Sequence, residues 1–371
     1  MGRGDTVLIT SGLRMNLGDQ AIRLGCLKML RDSGIWPLAA ELTPYLGIRH
    51  GLRLLCHLVA GSTVLYSVGH PIQDVTSGIY TPAALSGLTL TRLFRRRHIV
   101  ISAGASELRR GWVRRIARFS LTRALFLSAR DEFSAQRLRE LTGRDDVYVG
   151  VDPALALTPE DLCPGESVSP VADGSPYVCI APRRWDAYDS SGRSRQIDLT
   201  DTLVQLTERL VTELGVSVVF VSMCQISARH PGQDDHTFAS EICARLSPEV
   251  ASRVTVLSAE TPVSGLAGVL RSAEATLAVR MHASILSAAM GTPPINIHYS
   301  EKGRSFMEML GMGSRAVSIG EFTPDSMLGM VGEILGNRER IAEQLCEGVE
   351  RLRERLRQQF QEIAAALRGK G

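Results

Sequence analysis

Short apolar runs alternate with amphipathic segments along almost the whole chain. In the first half, runs rich in β-branched residues predict strands at residues 7–10, 64–68, 99–102, 126–129 and 147–149. Apolar residues at spacings of three and four predict helices near residues 20–32, 82–94, 112–124 and 132–141. Strands and helices that alternate in this way are typical of βα units, so we expect an α/β fold with a parallel sheet.

A second series of the same kind follows an interruption that is rich in proline and glycine. It predicts strands at residues 177–181, 216–222, 253–257, 275–279 and 295–297, and helices near 199–214, 235–246, 263–272, 282–290 and 302–310. A final run of apolar residues at helical spacing predicts one long amphipathic helix. The predicted domains are a Rossmann-like domain over 1–157, a linker over 158–176, a second Rossmann-like domain over 177–337 and a C-terminal helix over 338–371.

Composition excludes several classes of protein. The 371 residues are 44% hydrophobic and 22% charged, which excludes disorder, and no apolar stretch reaches the roughly 20 residues of a membrane helix. The chain opens without the apolar core of a secretory signal, so we expect a cytoplasmic protein. The seven cysteines are scattered without a C-x-x-C pair, so we expect reduced thiols and neither a disulfide framework nor a zinc site.

Nine arginines are concentrated in one segment. They are Arg92, Arg95, Arg96, Arg97, Arg109, Arg110, Arg114, Arg115 and Arg118. Because acidic residues elsewhere bring the net charge down to +3, we expect no nucleic-acid partner. The segment predicts either a solvated face or peripheral contact with anionic lipid at the inner face of the membrane. The C-terminal helix is expected to pack on the fold, with a coiled-coil dimer arm as the alternative, so a homo-oligomer stays open.

Ligands of open parallel sheets bind beyond the carboxyl ends of strands, so polar residues at these positions are the candidates for a site. In the first half they are Asn16 and Asp19 after the first strand, and His70 and Asp74 after the second. Asp19 also suits a helix cap, and His70 also suits a plain surface position. The loop at Asn16 lacks G-x-G-x-x-G spacing, so it does not indicate a dinucleotide site.

The second half offers a concentration of cations at such positions. Arg183 and Arg184 follow a predicted strand and can clamp an oxyanion, although a solvated surface pair is the alternative. Arg280 and His282 lie where a strand meets a helix of small residues. A helix N-terminus attracts anions, and the sequence therefore predicts an anion site in the second domain.

The order of these motifs resembles that of the polysaccharide pyruvyl transferase family. The matching segments are Asn16-Leu-Gly-Asp19, Ser128-Ala-Arg-Asp131 with Ser134, Val151-Asp-Pro-Ala154, Arg183 with Trp185, and Arg280-Met-His282 through Gly291-Thr-Pro293 to Lys302. The resemblance implies a GT-B-like fold, with two Rossmann-like domains facing across a cleft. It also implies transfer of the pyruvyl group of phosphoenolpyruvate to two hydroxyls of a saccharide or lipid-linked saccharide, giving a pyruvate ketal and phosphate.

The resemblance also implies roles for the candidate residues. On the donor side Arg183, Arg280 and His282 bind phosphoenolpyruvate, Lys302 is a further phosphate contact, and His282 is the candidate general acid. No cofactor is implied beyond this donor substrate, and no metal ligands are identified.

The acceptor side departs from the family pattern. Asp19 and Asp74 are the candidate bases, and Asn16 and His70 are further substrate-binding candidates. Where the family has a run of glycines before an acid, this chain has Ser67-Val-Gly-His70 before Asp74. The acceptor is therefore the less defined substrate.

The alternative function is that of a GT-B-type glycosyltransferase with a nucleotide-sugar donor. Such enzymes commonly hold the ribose hydroxyls with a carboxylate. Residues 280–298 contain no Asp or Glu and instead present Arg280, His282 and His298. A cationic pocket suits a small, highly charged donor better than a nucleoside.

Overall fold

The computed structural model describes residues 6–11, 16–44, 47–74, 77–165, 169–171, 173–188, 194–224 and 234–369, with the backbone alone for 185–188 and 194–197. The chain forms two compact units. The first takes its residues from Met1–Leu13, Asp19–Ala156 and Leu352–Gly371, and the second from Arg14–Gly18 and Leu157–Arg351. Each unit is an α/β sandwich around its own parallel sheet.

In the described part of the first unit, six parallel strands lie in the order β2-β1-β3-β4-β5-β6. They are β1 (Thr6–Thr10), β2 (Ala40–Leu42), β3 (Thr63–Ser67), β4 (His98–Ala103), β5 (Phe126–Ala129) and β6 (Tyr148–Val149). The helices are α1 (Leu17–Asp32), α2 (Ile48–Val59), α3 (Tyr80–Ala84), α4 (Ser86–Leu93), α5 (Gly111–Leu121) and α6 (Glu132–Thr142). Every residue of β1, β3 and β4 is buried, as expected for strands covered by helices on both faces.

In the described part of the second unit, six parallel strands lie in the order β11-β10-β7-β12-β13-β14. They are β7 (Tyr177–Ala181), β10 (Ser217–Phe220), β11 (Val254–Val256), β12 (Ala275–Ala278), β13 (Pro294–His298) and β14 (Ala316–Ser318), while β8 (Trp185–Tyr188) and β9 (Ser194–Ile197) form an antiparallel pair. The helices are α7 (Pro159–Leu162), α8 (Thr200–Glu213), α9 (Asp235–Cys243), α10 (Pro248–Ala251), α11 (Val263–Arg271), α12 (Met281–Ala289), α13 (Glu301–Leu310) and α14 (Pro324–Gly336).

The last helix, α15 (Arg338–Arg368), is shared by the two units. Its residues up to Arg351 belong to the second unit, and those from Leu352 belong to the first. The apolar positions of its predicted stripe are buried, from Ile341 to Leu367. None of the described helices combines the length and the hydrophobicity needed to cross a bilayer.

A buried glutamine fixes α15 to the first sheet. The Gln359 side-chain nitrogen donates to the hydroxyls of Ser102 and Ser128, each at 2.9 Å, and its oxygen accepts from the Val151 N–H at 3.3 Å. A Cβ added at Gly150 would overlap the Gln359 amide. These contacts favour the observed register of the helix, because a shift of one turn would take the amide away from both hydroxyls, which would keep only the Val151 and Val100 carbonyls as acceptors.

The structure contains all ten predicted strands within the described residues and adds elements that the pattern did not show. The added strands are β2, β14 and the pair β8–β9, and the longer added helices are α2 and α14. The helix predicted near 82–94 is two helices, α3 and α4, with Leu85 between them. The stretch predicted as a linker, 158–176, contains the short helix α7, which is capped by Thr158.

Candidate functional site

Three predicted cations meet at the carboxyl edge of the second sheet. Arg183 follows β7, Arg280 is the N-cap of α12 directly after β12, and Lys302 is the second residue of α13 after β13. The three strands are neighbours in the sheet, in the order β7-β12-β13. Their carboxyl ends therefore bring together side chains that are widely separated in sequence, from Arg183 to Lys302.

Tyr299 lies among these cations, and the sequence analysis missed it. Its hydroxyl accepts a hydrogen bond from Arg183 Nη1, while the Arg183 Cζ and the Lys302 Nζ lie 4.7 and 5.3 Å from the centre of its ring. Burial, the largest single influence, raises the pKa of the Tyr299 phenol. The charges of Lys302, Arg183 and Arg280 outweigh it and lower that pKa to about 7. Tyr299 thus carries a substantial share of negative charge at neutral pH.

Asp235 orients Arg280 and was also missed. The Arg280 Nη2 lies 2.6 Å from Asp235 Oδ1, and Arg280 Nε lies 3.1 Å from Oδ2. Asp235 is only 1% exposed, and its Oδ2 also accepts the N–H groups of Met223 and Cys224. This carboxylate raises the pKa of Arg280 in spite of the burial of the guanidinium. The pairing holds the Arg280 side chain in one orientation and keeps its guanidinium charged.

His282 is held by the first loop of the chain. Asn16 pairs with Cys224 in an antiparallel bridge, and the Leu17 N–H donates to the Met223 carbonyl at 2.9 Å. The Asn16 side-chain oxygen accepts from the Gly18 N–H at 3.0 Å. A Cβ added at Gly18 would overlap the His282 imidazole. Only glycine leaves room for the ring at this position, so the structure brings two predicted site residues, Asn16 and His282, to one place.

The position of Lys302 depends on the close approach of α13 to β13. The buried Asn296 of β13 donates to the Ala278 carbonyl at 3.2 Å and to the Ser284 hydroxyl at 2.9 Å, which ties β13 to β12 and α12. A Cβ added at Gly303 would overlap the Asn296 side-chain oxygen. Glycine beside Lys302 therefore allows the helix to start directly over the sheet.

Unlike Asn16, which belongs to the second unit, the other candidates on the acceptor side lie in the first unit. His70 Nε2 lies 2.9 Å from the Ser106 hydroxyl. A Cβ added at Gly69 would lie 3.4 Å from Asp19 Oδ1. Asp74 is buried, and its carboxylate accepts the backbone N–H groups of Arg109 at 3.0 Å and Arg110 at 2.6 Å. These hydrogen bonds give Asp74 a structural role in the loop that leads into α5.

A buried ion cluster accounts for two further motifs in the first unit. Arg130 Nη1 lies 3.3 Å from Asp152 Oδ2, and Arg130 Nε lies 3.5 Å from Asp131 Oδ2. Asp131 also caps α6 by accepting the Ser134 N–H at 2.7 Å. A Cβ added at Gly104 would meet the Arg130 guanidinium. The side chain of Trp185, which the sequence analysis quoted with Arg183, lies outside the described residues.

Comparison with known proteins decides the family. The sequence profile of the family described as "Polysaccharide pyruvyl transferase" matches residues 16–301. The chain belongs to the polysaccharide pyruvyl transferase family. The amylovoran biosynthesis protein AmsJ of Erwinia amylovora is 23% identical over 282 residues, which are 74% of this chain and 66% of AmsJ. The match thus spans just under two thirds of that relative's length. This member of the pyruvyl transferase family is therefore similar in sequence to a protein of polysaccharide biosynthesis.

Solved structures show the fold that this family member shares. The UDP-GlcNAc 2-epimerase from Neisseria meningitidis, bound to UDP-GlcNAc, is 12% identical with a TM-score of 0.56, over 98% of this chain and 99% of that one. The glycosyltransferase of kitacinnamycin is 14% identical with a TM-score of 0.50, over 99% of each chain. These likenesses confirm the predicted fold class, an α/β fold of the GT-B type with a long C-terminal helix.

Proposed function

We propose that the protein transfers the pyruvyl group of phosphoenolpyruvate to two hydroxyls of a saccharide acceptor. The observation that supports this most is the grouping of Arg183, Arg280 and Lys302 around Tyr299. The donor carries a carboxylate and a phosphate only a few ångströms apart, so it needs several fixed cations at short range. Because Asp235 pairs with Arg280, the charges of Arg183 and Lys302 supply most of the net attraction.

The proposed reaction begins with proton transfer from His282 to the methylene carbon of the donor. C2 then carries positive charge and is attacked by the first acceptor hydroxyl, which loses its proton. The bond between C2 and the phosphate oxygen breaks, phosphate leaves, and the second hydroxyl attacks C2 with loss of its own proton. The products are a cyclic ketal and inorganic phosphate. Of the two protons that the hydroxyls release, one restores His282 and the other balances the phosphate.

The start of α12 suits the proposed roles of Arg280 in donor binding and His282 in proton transfer. Arg280 and His282 are two residues apart at the start of the helix, so a group bound by the guanidinium lies close to the imidazole. The dipole of this helix start adds partial positive charge at the same place. Asn16, near His282, is our candidate for a substrate contact, while Asp19, Asp74 and His70 remain our candidates on the acceptor side.

The donor can be tested without knowing the acceptor. Phosphoenolpyruvate should raise the melting temperature of the wild type, and Arg183→Ala or Lys302→Ala should remove this shift. Arg304→Ala is the matched control, because Arg304 lies on α13 but is exposed and pairs with Glu308. Stabilisation by nucleotide sugars, with none by phosphoenolpyruvate, would instead establish the glycosyltransferase function.

The reaction itself is tested by phosphate release from phosphoenolpyruvate in the presence of candidate glycans. His282→Ala should abolish release while phosphoenolpyruvate still stabilises the protein. Unchanged turnover in His282→Ala would remove the assigned acid.

A further inference from the structure

Positive charge is concentrated in one stretch of the first unit. Residues 43–123 contain twelve arginines and only two acidic residues, whereas the whole chain has a net charge of +3. One of the two acids, Asp74, is buried and bound to backbone N–H groups. The outward charge of this stretch is therefore strongly positive, and the rest of the chain is net acidic.

Half of these arginines are on the helices α2, α4 and α5, which lie on one face of the first sheet. The connections from β2 to β3, from β3 to β4 and from β4 to β5 all step in the same direction across the strand order. Because such connections are right-handed, α2, α4 and α5 cover the same face. Arg96 Nε donates to the Leu58 carbonyl at 2.6 Å beside α2, and the hydroxyls of Thr89 in α4 and Ser120 in α5 lie 2.8 Å apart. The three helices thus form a continuous surface.

Large apolar side chains are exposed on the same helices. Among the described residues, the exposed large hydrophobic side chains all fall between Trp36 and Leu125. Those on or next to the three helices, which with the arginines we call the basic-apolar face, are Ile48, Leu52, Val59, Leu93, Phe94, Trp112 and Phe119. Leu52 is 59% exposed and Trp112 is 49% exposed. The guanidinium of Arg92 lies 5.4 Å from the ring centre of Phe119, so charge and apolar surface are interleaved.

We propose that the basic-apolar face docks on a bilayer that contains anionic phospholipid. Arginines bind lipid phosphates, and aromatic and aliphatic side chains enter the boundary between headgroups and acyl chains, which is the pattern of interfacial membrane helices. A nucleic acid would satisfy the arginines but offers nothing to Ile48, Leu52 and Leu93. A symmetric dimer through this face would press like charges together. The inference rests on the proposed function, to which it adds an acceptor carried on a lipid.

Vesicle flotation tests the proposal with the whole 371-residue chain. We expect binding to equimolar phosphatidylcholine and phosphatidylglycerol at low salt, weaker binding at high salt, and no binding to phosphatidylcholine alone. The double variant Arg114→Glu/Arg115→Glu should lower the partition coefficient about tenfold or more. The control Arg304→Glu/Arg357→Glu makes the same change of net charge at exposed arginines outside the face and should bind as the wild type does.

A second double variant tests the contribution of the apolar side chains of the basic-apolar face. Trp112→Ser/Phe119→Ser should bind several-fold more weakly, and its remaining binding should be more sensitive to salt. Equal losses in the two arginine variants, or no binding by the wild type at low salt, would overturn the proposal. Tighter binding to duplex DNA than to vesicles, or a dimer in ultracentrifugation that Trp112→Ser/Phe119→Ser abolishes, would assign the face to those partners instead.

Different results would refute the proposed donor and the proposed docking of the basic-apolar face. The melting shift with phosphoenolpyruvate reports on the second unit and should be unchanged in all the variants of the face. Absence of that shift in the wild type would refute phosphoenolpyruvate as the donor, but it would leave the docking of the face on membranes unaffected. Loss of vesicle binding would remove the docking face alone.

Discussion

Tyr299→Phe tests whether the phenol competes with the donor for the cationic cluster. The variant keeps the ring between Arg183 and Lys302 and removes only the ionisable oxygen. Because the pKa of Tyr299 is lowered to about 7, the phenol is mainly neutral at pH 6 and mainly phenolate at pH 8. A phenolate cancels one positive charge that the donor would otherwise use. Binding of phosphoenolpyruvate to the wild type should therefore weaken as the pH rises through 7.

The size of the effect follows from the neutral fraction of Tyr299. That fraction falls from about 0.9 at pH 6 to about 0.1 at pH 8, and the apparent dissociation constant rises in inverse proportion. Relative to Tyr299→Phe, the wild type should lose about tenfold in affinity over this range. The phosphate group of the donor ionises equally in both experiments, so the ratio of the two affinities isolates Tyr299.

Isothermal titration calorimetry measures both the affinity and the proton balance. At pH 8 the wild type should take up protons on binding, which shows as a dependence of the heat on the ionisation enthalpy of the buffer. Tyr299→Phe should show a smaller uptake. An affinity ratio that stays constant between pH 6 and pH 8 would refute the reasoning, because the phenol would then titrate outside this range or away from the donor.

Three substitutions test the supports of the site and the fold. Gly18→Ala should displace the His282 ring and lower the rate of phosphate release by up to about 100-fold, with phosphoenolpyruvate affinity retained; full activity would contradict the contact. Asp235→Ala leaves a buried guanidinium without its counter-charge and should cost about 3–5 kcal/mol in urea denaturation, so a loss below about 1 kcal/mol would show that the pair is dispensable. Gln359→Ala should cost about 1–3 kcal/mol, against less than about 0.5 kcal/mol for the exposed Gln358→Ala, and equal losses would argue against the buried network.

The pattern of the sequence predicts the central strands well because they are buried on both faces. The bounds of β5 and β7 agree with the prediction to the residue. The missed strands β2 and β14 have three residues each, and their pairing partners rather than their own composition make them strands. Helix α2 was missed although its pattern is strongly amphipathic, with the buried Leu54 and Leu58 one turn apart on its inner face.

The grouping of the candidate cations was predictable because one rule about parallel sheets sufficed. Arg183, Arg280 and Lys302 all follow the carboxyl ends of strands, and the parallel sheet brings them to one edge. Tyr299 and Asp235 acquire their roles only from contacts across the fold. Asp235 lies 45 residues before Arg280, and no local spacing signals the pair.

Because the two units share α15, they are completed in a fixed order during translation. A nascent chain has delivered the whole second unit once Arg351 leaves the ribosome, but the first unit, although translated earlier, still lacks Leu352–Gly371. Until Gln359 has been synthesised, the hydroxyls of Ser102 and Ser128 lack the hydrogen bonds that its side-chain amide donates. The strands of the first unit therefore gain their hydrogen bonds to α15 only after the whole second unit has been translated.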